Sequence, residues 1–187
     1  MSAASFHAQP APQGTRPENA AISGRFVPKQ VPLWGGFSKV YLSECRAHLS
    51  TGEEWVLGYR GNGRKRTYFV WDANGRPLAQ SHPIHATGWR SFVNSSLWFA
   101  DAAGTPIMEY SGRIIPTTLR FGDVAVPCRT YVRKWFRSIL ESEYFEFEQK
   151  GLWQVRFIVK QSRFLLPALC FGYLVYVFQS DGGSCGG

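Results

Sequence analysis

The sequence predicts a mostly β, antiparallel fold, a sandwich or barrel, that carries two helices. Three observations predict it. Turn residues recur roughly every ten positions from Phe37 onward and separate runs rich in Val, Ile, Tyr, Phe and Trp. The aromatic load is heavy, with seven Trp, eight Tyr and fourteen Phe among 187 residues, and such side chains suit pleated, half-buried surfaces. Residues 164–178 (FLLPALCFGYLVYVF), finally, carry no charge and no polar side chain beyond two tyrosines and a cysteine. A helix that is apolar all round must be hidden from water on every side, inside a protein shell or in a bilayer.

The chain opens with MSAASFHAQPAPQGTRPENA, which is small, polar and proline-dotted and has no apolar h-region. Residues 1–32 are therefore expected to form a disordered leader rather than a secretory signal, with one domain over 33–181 and a flexible tail over 182–187. Within the domain, Gly52, Gly61-Asn62-Gly63, Asn74-Gly75, Gly88, Gly104, Gly112, Gly122-Asp123 and Gly151 punctuate the strand candidates. Residues 54–60 and 66–71 flank the Gly-Asn-Gly turn as a hairpin. Asp72-Ala73-Asn74-Gly75-Arg76-Pro77 returns as Asp101-Ala102-Ala103-Gly104-Thr105-Pro106, each copy after an aromatic strand and before an aliphatic one. Asp and Gly supply the turn chemistry, and Pro opens a strand where no ladder donor is needed. Two copies are too few for a solenoid or propeller; they indicate a domain assembled from repeated hairpins.

Between these hairpins and the apolar segment, Val132, Trp135, Phe136, Ile139 and Leu140 fall at helical spacing, which predicts an amphipathic helix. Residues 152–160 (LWQVRFIVK) alternate instead, as a half-buried antiparallel strand does. The apolar segment follows. A bilayer core about 30 Å thick needs roughly 20 apolar residues, and Pro167 is tolerated only in a helix's first turn. A helix from near Leu166 to near Gln179 is therefore expected as a buried core element. The alternative is a tail anchor, because Lys160 and Arg163 before the run and Asp181 after it have the charge order of a cytoplasmic N-terminus.

Net charge is +8. That balance suits an anionic partner: a phospholipid surface, nucleic acid or an acidic protein. No recognised nucleic-acid motif accompanies it, so nucleic acid ranks behind lipid and protein. Four unevenly spaced cysteines suggest no disulfide framework and a reducing, cytoplasmic compartment. No nucleophile elbow, P-loop or dinucleotide fingerprint is present, so neither catalysis nor a cofactor is expected. An enzyme with a Cys/His centre at Cys45 or Cys128 is the second alternative. Cys45-x-x-His48 and His82-x-x-His85 have zinc-like spacing, yet residues three apart on a strand point to opposite faces, so no metal is expected. Glu141, Glu143, Glu146 and Glu148 read as a solvated acidic run.

Repeated hairpins with D-x-x-G turns (WDANGRP, FADAAGTP), one amphipathic helix midway, further strands and the terminal FLLPALCFGYLVYVF resemble the tubby C-terminal-like superfamily, which includes the phospholipid scramblases and LURP-one-related proteins. The resemblance spans about residues 37–180. It implies a closed antiparallel β-barrel of about twelve strands around the hydrophobic C-terminal helix. It further implies a non-catalytic module at a cytoplasmic membrane face that binds anionic phospholipid, often phosphoinositide. Residues 150–163 are basic and lack the acidic calcium-binding run, which argues against calcium-activated scrambling. The residues expected to meet an anionic headgroup are Arg64, Lys65 and Arg66 at the glycine-flanked hairpin tip, extended by Arg133, Lys134 and Arg137.

Overall fold

A computed structural model of the chain describes residues 19–32, 38–61, 66–83, 95–112, 116–133, 137–150 and 154–182. The first strands are β1 (Ile22–Pro32), β2 (Ser38–Leu49), β3 (Glu54–Arg60), β4 (Thr67–Asp72) and β5 (Pro77–Pro83). They continue as β6 (Ser95–Asp101), β7 (Pro106–Gly112), β8 (Pro116–Phe121) and the short β9 (Val124–Ala125). Then come β10 (Arg129–Arg133), β11 (Arg137–Glu141), β12 (Phe145–Lys150) and β13 (Gln154–Val159). A 3-10 turn (Ser162–Phe164) leads into α1 (Leu165–Gly182).

All thirteen strands form one sheet in the order β10-β11-β12-β13-β1-β2-β3-β4-β5-β6-β7-β8-β9, with antiparallel neighbours throughout. The two ends of that order are consecutive in the chain, separated by Val126, Pro127 and Cys128. The Val126 N–H donates to the Leu119 carbonyl at 2.8 Å, still on the β8 side, and three residues later Arg129 pairs with Glu141 of β11. Phe121 of β8 and Phe145 of β12 meet with ring centroids 5.8 Å apart, although their strands lie near opposite ends of the order. The sheet curls.

What it curls around is α1. From Ala168 to Val177 the helix residues are buried in succession, so every face is covered. The coverage comes from strands far apart in the sheet. Phe164, just before the helix, packs on Phe121 of β8 at 5.9 Å, and Phe171 on Tyr110 of β7 at 5.8 Å and Phe145 at 5.5 Å. Tyr173 meets Tyr68 of β4 edge-on at 6.2 Å, and Tyr176 meets Phe26 of β1 at 6.4 Å. Pro167 sits in the first turn, where its missing N–H costs nothing. Eighteen residues give a rod of about 27 Å. Among the described residues no helix is long and apolar enough to cross a membrane, and the sides a tail anchor would offer to lipid face strands.

Local chemistry accounts for most of the strands. β13 alternates as its sequence requires, with Val155, Phe157 and Val159 inward and Gln154, Arg156 and Ile158 outward. The two D-x-x-G turns are superimposable in their bonding. Asp72 Oδ1 accepts from the Asn74 N–H (2.9 Å) and the Arg76 N–H (2.8 Å); Asp101 Oδ1 accepts from Ala103 (2.9 Å) and Thr105 (2.8 Å). Gly75 and Gly104 close them at φ of 75° and 85°, a conformation that disfavours a side chain. A third copy joins β2 to β3. Leu49 donates to the Glu53 carbonyl and Gly52 to the Leu49 carbonyl, the same backbone pattern with Leu in the Asp position.

Two expectations are corrected. Val132, Ile139 and Leu140 belong to a β10–β11 hairpin, with Tyr131 opposite Ile139 and Thr130 opposite Leu140, and not to an amphipathic helix. β-branched and aromatic residues suit a strand, and the β11–β12 ladder, a non-local gain that helical spacing ignores, decides the outcome. Residues 22–32, assigned by composition to the leader, form β1, which lies between β13 and β2 and turns Ile22 and Phe26 inward. Their polar and proline content marks outward positions and a register shift after Pro28, where a strand tolerates both.

Candidate functional site

Antiparallel order sorts the connections into two sets. Those joining β1–β2, β3–β4, β5–β6, β7–β8, β10–β11 and β12–β13 all leave the sheet at one end; those joining β2–β3, β4–β5, β6–β7, β8–β9 and β11–β12 leave at the other. The first end is terminated by Arg60, Arg133, Arg137 and Lys150 at strand ends, with Arg66 just before β4. The hairpin tip and the 132–140 region, which the sequence offered as two separate basic segments, therefore open at the same end. Arg133 and Arg137 are direct cross-strand partners there.

Arg64, Lys65 and Lys134 lie outside the described residues, as do the side chains of Arg133 and Arg137. Arg66 is described: its guanidinium lies over the Tyr59 ring, 4.4 Å from the centroid. Arg60, a residue that the sequence reading passed over although it adjoins the tip, lies over Phe69 at 5.6 Å. Phe69 stacks on Trp71 at 5.2 Å, and on neighbouring strands His82 stacks on Trp98 at 4.6 Å. The Arg60–Phe69, Phe69–Trp71 and His82–Trp98 pairs stand on the outer face, because the alternate residues Tyr68, Val70 and Phe99 are buried, whereas Tyr59 lies opposite Tyr68 and shares its inward face. A guanidinium over an aromatic face keeps its full charge while its hydrocarbon stem is covered.

The opposite end has a different character. Its turns carry Glu53, Asp72, Asp101, Asp123 and Glu143, interspersed with Arg76, Lys160 and Arg163. Much of this charge is engaged in structure. The two aspartates hold turn amides, and Lys160 Nζ donates to the Ser142 carbonyl at 3.0 Å. Glu146 and Glu148 alternate with buried Phe145 and Phe147 along β12 and are on the outer face, yet both are half-buried and not the freely solvated run expected, the Glu148 side chain being only 17% exposed beside Lys150.

The Cys and His candidates are dispersed. Cys45 points into the core and is fully buried, whereas His48 points outward, its Nδ1 3.2 Å from Glu54 Oε2. Burial pushes the Cys45 thiol up to about 12, opposed in part by a hydrogen bond to the Val27 backbone, and pushes Cys128 up to about 12 as well. Nucleophilic cysteines need the reverse shift. His85 lies outside the described residues. Among the described residues no three His, Cys, Asp or Glu side chains gather as a metal site would require. No protein-family model, curated protein or solved structure matches the chain.

Proposed function

We propose that this protein is a tubby-like, non-catalytic binding module whose sheet closes as a barrel around α1 and whose basic end contacts anionic phospholipid headgroups. Closure is supported by the chain running directly from β9 to β10, the two ends of the strand order, and by a helix covered on every side. The docking surface is supported by one observation above all. The strand ends at one pole carry Arg60, Arg133, Arg137 and Lys150, and in sequence the segments joining them add Arg64, Lys65, Arg90, Arg113 and Lys134 without a single Asp or Glu. The same segments contain Trp34, Trp89, Trp135 and Trp153, the residue type that favours the headgroup layer. Cations of one sign beside interfacial aromatics make a peripheral membrane contact, and the opposite pole has no such excess.

Each Lys or Arg near an anionic surface is worth about 1 kcal/mol, so changing Arg64, Lys65 and Arg66 to Ala should weaken binding about a hundredfold. Co-sedimentation with vesicles containing phosphatidylserine or a phosphoinositide, against pure phosphatidylcholine vesicles, measures this directly. Undiminished binding by the triple variant removes the tip from the site, and equal binding to neutral vesicles removes the function. Carbonate washing should release the wild-type protein from such membranes.

A further inference from the structure

On the outer face of β12, β13, β1 and β2, toward the pole opposite the basic end, lies a groove of about 490 Å³. That volume suits a small molecule. Its charged lining is ordered by register. Arg25 of β1 is the direct cross-strand partner of Arg156 of β13, and on its other side it faces His48 of β2. One row along, Ile158 of β13 lies between Glu146 of β12 and Ser23 of β1. Ile158 is 45% exposed, the one large apolar side chain so exposed among the described residues. The groove floor is completed by Leu49 and Phe157, both buried.

Two like charges directly opposite each other in a ladder destabilise it, by up to about 1 kcal/mol. On its other side Arg156 faces Glu148 of β12, so one carboxylate adjoins the pair and offsets part of that repulsion. Among the described residues, Arg25, Arg156 and Glu146 have no ion pair or side-chain hydrogen bond, although His48 has Glu54 and Glu148 has Lys150 at 3.9 Å. The groove therefore presents two cations side by side and, along β12, two carboxylates, Glu148 next to Arg156 and Glu146 two strands from Arg25. Strand spacing and rise put the Cα atoms of Arg25 and Glu146 about 12 Å apart. Long side chains at both ends narrow that gap to the length of a small ligand.

We infer that this groove is a second binding site, independent of the basic pole, for a small soluble zwitterion that carries a phosphate monoester at one end and an ammonium at the other. The phosphate dianion sits between Arg25 and Arg156, where guanidinium forks match its oxygens and its charge offsets theirs. The ammonium faces Glu146, and the connecting methylenes lie on Ile158. A bare anion satisfies the two arginines but leaves Glu146 repelling it. A bare amine reverses the problem. The groove's distance from the basic pole leaves it in water when that pole sits on a membrane, so the ligand is a free molecule and not a bilayer headgroup.

O-phosphorylethanolamine is the probe, titrated into the full-length protein by calorimetry beside inorganic phosphate and ethanolamine. All the substituted side chains are on the outer face, so folding is checked simply by a urea midpoint no lower than that of the wild type. Arg25→Gln with Arg156→Gln should weaken phosphorylethanolamine at least tenfold. Glu146→Gln should weaken phosphorylethanolamine about fivefold while leaving inorganic phosphate unchanged or tighter. Equal affinity for phosphorylethanolamine in the wild type and the double-arginine variant overturns the site, and phosphorylethanolamine binding no tighter than inorganic phosphate overturns the zwitterion. Loss of vesicle binding in the double-arginine variant assigns the pair to the membrane contact and overturns the soluble ligand.

Discussion

Replacing Gly172 with alanine tests whether α1 is seated inside the sheet. In an ordinary helix this change stabilises by about 1 kcal/mol, because glycine loses more backbone freedom than alanine. Here a Cβ on residue 172 would stand 2.5 Å from Cζ and 2.9 Å from Cδ1 of Phe147, and closer still to Cε1. Unstrained carbon contacts need about 3.5–4.0 Å. The ring cannot retreat easily, since Phe26, Phe145 and Phe157 surround it at centroid distances of 6.1, 5.3 and 5.9 Å. Overpacking of this kind costs up to about 3 kcal/mol. Subtracting the propensity gain leaves a net loss of about 2 kcal/mol. In urea, with a slope of about 2 kcal/mol per molar, the midpoint should fall by about 1 M. A Phe147→Leu background should remove most of the penalty, giving a coupling energy of about 2 kcal/mol between the two sites. If Gly172→Ala matches or exceeds the wild-type midpoint in the native background, the helix does not pack against β12 and the reasoning fails.

Three further outcomes are expected. Asp72→Ala and Asp101→Ala each strip two backbone donors of an acceptor in an exposed turn and should each lower stability by about 1 kcal/mol; a loss indistinguishable from zero in both would show that the glycines alone hold the turns. Because the Cys45 thiol is raised from 9.0 to about 12 by burial, the unfolded chain loses this proton first. Stability from this group is thus complete below pH 9 and declines between pH 9 and about 12, at up to roughly 1.4 kcal/mol per pH unit. Cys45→Ala should make that limb shallower without abolishing it, since burial raises Cys128 and Cys170 too, and iodoacetamide at pH 8 should leave native Cys45 and Cys170 unlabelled. Deleting residues 165–187 removes the side chains that fill the sheet's interior and should yield an aggregating chain without near-ultraviolet circular dichroism; a compact, monodisperse product would mean that the sheet stands without its helix.

The elements legible in the sequence are those whose signal is local. The Asp-x-x-Gly turns were readable because the chemistry that closes them, a carboxylate for two amides and a glycine at positive φ, lies within five residues. The third turn was hidden by Leu49, which satisfies the backbone pattern without the side-chain cap. β13 announced itself by strict alternation. The 132–140 segment misled because valine, isoleucine and leucine seven or eight apart share a helix face and also fit the two arms of a hairpin. Only the partner strand chooses between them, and β12 begins several residues downstream.

The candidate sites follow the same division. That residues 64–66 form a cationic tip is plain in the sequence. That their connection leaves the sheet at the same end as Arg133 and Arg137 depends on counting strand reversals around the sheet. Arg25 and Arg156 lie 131 positions apart in the chain and gave no sequence signal, yet one ladder sets them face to face. By itself the sequence determined that the C-terminal segment needs cover on all sides, because no stripe of it is polar enough to meet water. Tertiary structure alone decided what provides the cover, which residues share a pole, and where charges are left facing one another. Ladder hydrogen bonds are indifferent to sequence distance, so neighbourhood across a sheet is a property of register and cannot be read along the chain.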